Sequence, residues 1–377
     1  MNTKLNIGVL IPQSKAYPLM GKEFVNGLKL GLDYSTDVNL KVESIGLGED
    51  PNQLINIIQK QINQEDVKLF TGLLGHFRLD QIADFVSANE VPLIYSDLGA
   101  SSPITARDFV YSNSFDLYGS TLKIGQYFSD QNINNIVTST CYYEAGYSFI
   151  EGLESALKEN QNTSFSGHFI TPLNPRENEA EIMRQWMMDI NPDAVFAFHN
   201  GVFAKEHADY LSINKLYKEF SIYTLPYSVD QKLLDEFPNV FECVKSISSW
   251  FPELKSHENQ LFVSKYKLEF KKTPSSFALL GYENGLMIRS ALNFKANENS
   301  TTINQNIKSL NLEGPRGQIS FETENNRTEF GHYIWKIIKS ESGQMIREIE
   351  KKIEPIESII IPKTKTENGW YNAYLCH

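Results

Sequence analysis

Short apolar runs and amphipathic helical stretches alternate from Leu5 onward, stop, and begin again. Residues 5–11 (LNIGVLI) form an apolar run closed by Pro12, the pattern of a strand buried on both faces. Phe24, Leu28 and Leu32 follow at helical spacing within 22–34, giving one apolar face. Residues 40–47 read as a strand, and Asp50-Pro51 supplies a capping acid and a first-turn proline for a helix through Ile57, Ile58 and Ile62. Strand 67–71, helix 79–89 and strand 91–95 continue the rhythm. Such alternation predicts a parallel sheet with helices on both faces.

After a polar stretch near 114–119 the pattern restarts. Strands are expected at 136–140, 165–170, 194–198 and 221–224, with helices at 146–160, 178–190 and 202–214 between them. Beyond Trp250 the rhythm changes to helices at 259–270, 277–294 and 303–310, then strands at 317–321 and 333–338. The charged ladder 345–353 reads as an edge strand. A chain of 377 residues exceeds what one hydrophobic core usually serves, so two doubly wound lobes are expected.

The charge balance narrows the partners. Thirty-five Lys and Arg stand against 46 Asp and Glu, a net charge of −11, which repels phosphate backbones and anionic lipid. Neither nucleic acid nor direct membrane insertion is expected, and no apolar run approaches the ~20 residues of a spanning helix. Cys141, Cys243 and Cys376 lie far apart without a CxxC pair, so no disulfide framework or thiolate metal site is indicated. Met1-Asn2-Thr3-Lys4 leads straight into the first strand with no signal-peptide core.

Signals for catalysis are missing. No phosphate loop, zinc helix or nucleophile elbow is present, and Gly46-Leu47-Gly48 lacks the third glycine of a dinucleotide site. The seven histidines show no metal-ligand spacing. No cofactor, no metal and no catalytic residue is expected.

Five stretches, in order, resemble the leucine/isoleucine/valine-binding group of type I periplasmic binding proteins. They are 7–32 (IGVLIPQSKAYPLMGKEFVNGLKLGL), 71–105 (TGLLGHFRLDQIADFVSANEVPLIYSDLGASSPIT), 142–157 (YYEAGYSFIEGLESAL), 277–292 (FALLGYENGLMIRSAL) and 314–321 (GPRGQISF). The resemblance implies two Rossmann-like α/β lobes joined by three hinge crossovers near 115–118, 248–251 and 322–327. Lobe one would comprise 1–116 and 252–321, and lobe two 119–247 and 328–353, leaving 354–377 as a tail.

The resemblance also implies a small-molecule ligand in the interlobe cleft and names its walls. The first-lobe loop that holds the ligand carboxylate falls at His76 and Phe77, where His76 replaces a small hydroxyl residue. An imidazole there is expected to make affinity pH-dependent between about pH 5 and 8. The paired backbone contacts fall at Asp97, Leu98, Gly99 and Ala100, with Ser101 beyond. Asp97 either meets a ligand ammonium or caps a helix. In lobe two, Tyr142, Tyr143 and Tyr147 surround the position of a stacking tyrosine, and His199 and Asn200 follow a strand end. Tyr227 stands where amino-acid binders carry an acid. Cysteines that pair in some members align with Glu49 and Gly75, so that disulfide is not expected.

These residues imply a solute-binding protein of an ABC-type uptake system, closing on a small amphipathic solute that is amino-acid-like or amide-like. Its partner would be an ABC permease. A second reading is a cytoplasmic ligand sensor on the same fold that passes closure to a regulatory partner protein; an enzyme is a remote third. Localisation follows: periplasmic if an export signal was removed, cytoplasmic if Met1 is the native start.

Overall fold

A computed structural model describes residues 4–354 except 144, 146, 159–162, 243, 293–298, 322–324 and 342. Cys243, Cys376, positions 322–324 of the expected third crossing and all but the first residue of the 354–377 tail lie outside the described residues.

The first rhythm builds β1 (Leu5–Ile11), α1 (Met20–Gly31), β2 (Val38–Ser44), α2 (Pro51–Glu65), β3 (Val67–Leu73), α3 (Leu79–Ala88), β4 (Leu93–Asp97) and β5 (Val110–Ser114). The five strands form one parallel sheet in the order β2-β1-β3-β4-β5. Alternation along β1 sends Ile7 and Val9 into the core shared with α1, and Leu10 into the core shared with α2 and α3. The cap read from sequence is in place: the Asp50 carboxylate accepts the N–H groups of Asn52 and Gln53, ahead of Pro51.

The second rhythm builds α4 (Leu117–Asp130), β6 (Asn135–Cys141), α5 (Phe149–Lys158), β7 (Ser164–Thr171), α6 (Glu179–Ile190), β8 (Ala194–Phe198), α7 (Gly201–Ile213), α8 (Leu216–Glu219), β9 (Ile222–Thr224), α9 (Gln231–Glu236), α10 (Pro238–Phe241) and β10 (Val244–Ser248). After α11 (His257–Phe270), α12 (Ser276–Ala291), α13 (Ser300–Lys308) and the hairpin β11 (Leu312–Gly314)–β12 (Gly317–Ile319), the chain returns with β13 (His332–Lys339) and β14 (Met345–Ile353). The second sheet runs β14-β13-β10-β9-β8-β6-β7, with β13 and β14 antiparallel at one end. β14 is the edge strand that its charges announced.

Helices α11 to α13 belong with the first sheet. Phe262 of α11 stacks on Tyr282 of α12 at 4.5 Å, and Tyr111 of β5 donates to the Asn304 side chain of α13 at 2.6 Å. α12 lies directly against α1: a Cβ on Gly27 would sit 2.0 Å from the Ala278 carbonyl oxygen, and one on Gly281 would sit 2.0 Å from that of Phe24. These glycines come from two of the motifs quoted above, so the motifs pack against each other. The chain therefore passes between the two lobes three times: from β5 to α4, from β10 to α11, and from β12 to β13.

Besides the short α8, α9, α10 and β11, three elements at the crossings are not read from the sequence: β5, α4 and β10. β5 and β10 are short and carry serines inside the sheet (Ser112, Ser114, Ser246, Ser248), so neither reads as an apolar run. α4 falls where a polar stretch was read, yet it is buried on nearly every side, from Leu117 through Gly125. A helix covered all round has no apolar stripe to announce it.

Candidate functional site

The parallel strands of each lobe present their carboxyl ends toward the other lobe. In lobe one the segments leaving β1, β3 and β4 are 12–18, 74–78 and 98–102; in lobe two those leaving β6, β8 and β9 are 142–148, 199–200 and 225–229. His76 and Phe77 follow β3, Asp97 ends β4, and Leu98, Gly99, Ala100 and Ser101 come next. Tyr142 and Tyr143 follow β6, His199 and Asn200 follow β8, and Tyr227 lies in one 3-10 turn, Pro226–Val229. Crevices beyond the carboxyl ends of parallel strands are where open α/β sheets collect ligands.

Among the described residues, two groups of contacts join the lobes across the cleft. In the first, the Tyr17 hydroxyl points to Asn200 Oδ1 at 3.5 Å, and the Tyr17 ring meets the Tyr227 ring edge-on at 5.7 Å. The Tyr227 and Ser276 hydroxyls are hydrogen-bonded at 2.6 Å, with Phe277 beside both tyrosines. In the second, Ser148 donates its backbone N–H to the Ala100 carbonyl at 3.3 Å, and its hydroxyl lies 3.4 Å from that of Ser101. The His76 ring stands edge-on to Tyr147 at 6.4 Å.

His76 is 9% exposed, and neither ring nitrogen has a hydrogen-bond partner among the described residues. Burial lowers its pKa to about 4, so the ring is neutral at physiological pH, with one nitrogen a donor and the other an acceptor. Phe77 beside it carries the Arg78 guanidinium over its ring at 5.0 Å.

The β4 end is held from behind by the first crossing. The carbonyls of Asp97, Leu98 and Gly99 accept the N–H groups of Phe115, Leu117 and Tyr118. Gly99 takes φ +69°, and a Cβ there would meet Ser114 Oγ at 2.6 Å, so this approach requires glycine. The capping alternative for Asp97 fails, because no helix starts between it and Leu117. Burial, with the Asp116 charge, raises the pKa of its carboxyl group to about 6, against the opposing effects of Ser114, Arg327 and the Gly99 N–H. Neighbouring Asp116 goes the other way: burial would raise it, but Arg327, Lys123 and His332 outweigh burial and hold it at about 2.

In lobe two, Tyr142 is largely exposed and packs edge-on against Tyr143, which leans on Phe203 of α7. The His199 ring is turned into the lobe. It is 1% exposed, stacks on His207 at 4.0 Å, and lies 3.3 Å from Ser139 Oγ. Burial, reinforced by His207 and His168, drives its pKa far below the ordinary value. The His199 backbone is clamped by Ser228, whose hydroxyl accepts its N–H and donates to its carbonyl. Asn200 and Tyr227 are thereby tied into one unit.

The profile of the periplasmic binding protein family matches residues 4–343, nearly the whole described chain. The chain belongs to the type I periplasmic binding proteins. Among solved structures, an ABC transporter substrate-binding protein from Sphaerobacter thermophilus is 19% identical with a TM-score of 0.81, covering 93% of this chain and 98% of that one. A solute-binding protein of an ABC transporter from R. palustris, in complex with benzoate, is 17% identical with a TM-score of 0.73, covering 96% and 99%. A leucine-binding protein from Thermotoga maritima is 16% identical with a TM-score of 0.68, covering 93% and 99%. At these identities the likeness is one of fold. No match is found among curated proteins.

Several residues at the cleft of this periplasmic binding protein are not anticipated from the sequence: Tyr17, Ser148, Ser276 and Phe277. Tyr17 had a usable signal, since Pro12 and Pro18 bracket a segment leaving the first strand. Ser276 had none, because it reads as an ordinary helix start. A groove of about 600 Å³ lies on the other side of the Tyr17 loop, between α1 and β2, lined by Ile11, Pro18, Val25, Val42 and Ser44 among others. Among the described residues no cluster of His, Cys, Asp or Glu is placed to hold a metal ion, and no helix is long and apolar enough to cross a membrane.

Proposed function

We propose that this protein is the solute-binding component of an ABC-type uptake system, closing on a small amphipathic solute that is amino-acid-like or amide-like. The observation that carries the reading is His76: a neutral imidazole, nine-tenths buried between the lobes, with both nitrogens unpaired among the described residues. A solute offering one donor and one acceptor, such as an amide or a carboxylic group on a compact body, satisfies it. Tyr143, Tyr147 and Phe203 supply ring surface for that body. The direct contacts between lobes mean that the solute is enclosed, and differential affinity for the closed state is what drives closure. His199 serves as support for Asn200, not as a contact, and Tyr227 closes the site through Ser276.

The test is a thermal-shift and native mass-spectrometry screen of amino acids, small amides and benzoates. A true solute at a hundred times its Kd adds about 2.7 kcal/mol, a rise of roughly 3 °C in Tm. A panel in which no compound shifts Tm or adds mass overturns the reading.

A further inference from the structure

Arg316 and Glu283 form an ion pair with no side-chain exposure, at the turn of the β11–β12 hairpin and the middle of α12. Three hydrogen bonds of 2.5–3.1 Å join them. The remaining guanidinium contacts reach outward to every segment that passes between the lobes. Toward the first crossing, Arg316 donates to the Ser114 carbonyl at 2.7 Å and to Asn113 Oδ1 at 2.6 Å. Toward the second, it lies 3.4 Å from Ser249 Oγ, and Ser249 in turn donates to the Phe115 carbonyl. Toward the third, its plane lies 3.9 Å above the Phe330 ring, and Thr328 donates to the same Asn113 oxygen. Asn113 then donates to Glu283 and to Asn284, and Asn284 reaches Thr71 and Ser96 on the strands that lead to His76 and Asp97.

We propose that Arg316 is the positioning residue of the hinge, in contact with all three crossings, and that its pairing with Glu283 sets the angle between the lobes. A buried ion pair is a poor source of net stability, because desolvation offsets most of the attraction. It is a good source of geometric specificity, because a planar guanidinium satisfies its donors in only one arrangement of partners. The first and third crossings are also bonded directly, Ser112 to Asn326 and Thr328. The second is bonded to the first as well, through the Ser249 hydroxyl and the Phe115 carbonyl, and Arg316 adds a contact to that same serine. The inference concerns lobe geometry and stands for any solute.

The experiment compares the wild-type protein with R316K and with R316M/E283M, without ligand. Single-molecule energy transfer is measured between dyes on non-natural amino acids at Gln59 of α2 and Met188 of α6. R316K keeps the charge opposite Glu283 but loses the planar fork, and the double variant leaves no lone buried charge. The expected result is a changed interlobe distance distribution in both variants, displaced by more than about 2 Å or visibly broadened, with circular dichroism unchanged. A folded variant that has lost thermal stability but keeps the wild-type distribution overturns the proposal, since that is the behaviour of a merely structural ion pair. Should neither variant fold, the wild-type protein decides through the Arg316 Nε–H nitrogen-15 NMR signal. Exchange slowed like that of core amides supports a fixed pivot, and rapid exchange overturns it.

Discussion

Tyr227 of lobe two and Ser276 of lobe one share a 2.6 Å hydroxyl–hydroxyl hydrogen bond across the cleft. Tyr227 therefore holds the lobes together through its tip, while its ring rests against Tyr17, Phe115 and Phe277. Ring and hydroxyl have separable roles, and that separation can be measured.

Tyr227→Phe keeps the ring and removes the hydroxyl. The lost bond is worth roughly 0.5–1.5 kcal/mol, so solute affinity should fall about two- to tenfold. The change belongs in the off-rate, because the bond exists only when the lobes meet. Stopped-flow release kinetics with the solute found by screening check this, alongside Tm of the unliganded protein. An unchanged off-rate with a lowered Tm would make Tyr227 a core residue instead of a latch.

His76 corrects the pH window expected from the sequence. With the closed-state pKa lowered to about 4, the ring of the closed form is neutral across that whole window. Opening parts the ring from Tyr147 and returns its pKa toward the ordinary 6.5. Protons then favour the open form below about pH 6.5, and closure must displace them. Affinity should be flat above pH 7 and fall as the pH drops toward 5, by up to tenfold per unit. Calorimetric titration across that range should show the fall in the wild-type protein and a flatter curve in His76→Ala. Parallel curves would remove His76 from the site.

Lobe two carries His168, His199, His207 and His332, all depressed by burial, to about 4, far below the ordinary value, about 3 and about 3 respectively. A depressed folded pKa means that the unfolded chain takes up the proton first. The stability these rings contribute is complete above pH 6.5 and is lost as pH falls toward the folded values. Between pH 7 and 5 the loss is roughly 2 kcal/mol for each ring. Asp97, raised to about 6, acts in the opposite sense but is a single group. Urea denaturation at pH 7 and pH 5 should therefore show a net loss, smaller by roughly 2 kcal/mol in His207→Phe. Equal stability at the two pH values would contradict the burial of these rings.

Gly281→Val tests the α1–α12 contact. The added carbon would meet the Phe24 carbonyl at 2.0 Å, and backbone cannot move aside as a side chain tip can. Overpacking of this kind costs about 1–3 kcal/mol and sometimes more, so the midpoint of urea unfolding should drop clearly. Gly46→Ala, which has nothing within 4 Å of its Cβ but takes φ +60°, should cost only about 1 kcal/mol. Similar losses in the two variants would mean that the helices separate at little cost.

Much of the site was legible as position and less of it as orientation. The strand ends that carry His76, Tyr143, Asn200 and Tyr227 could be found by counting alternations, because parallel strands must deliver their carboxyl ends to one edge. The direction of each side chain could not. His199 and Asn200 are neighbours, yet one stacks on His207 inside the lobe and the other meets Tyr17 of the opposite lobe.

The sequence by itself determined two doubly wound lobes, the cap at Asp50, the charged edge at β14 and the glycines that bring α1 to α12. All are local: a period, a cap or a missing side chain states which face is buried or which approach is allowed. Tertiary structure alone decided that β5, α4 and β10 exist, that Asp97 turns to Ser114 and Arg327, and that Arg316 reaches all three crossings. Those outcomes depend on partners far away in the chain, such as Arg316 on Asn113 and Glu283. An element buried on all sides, or a polar group satisfied by a distant segment, leaves no periodic trace in its own stretch of sequence.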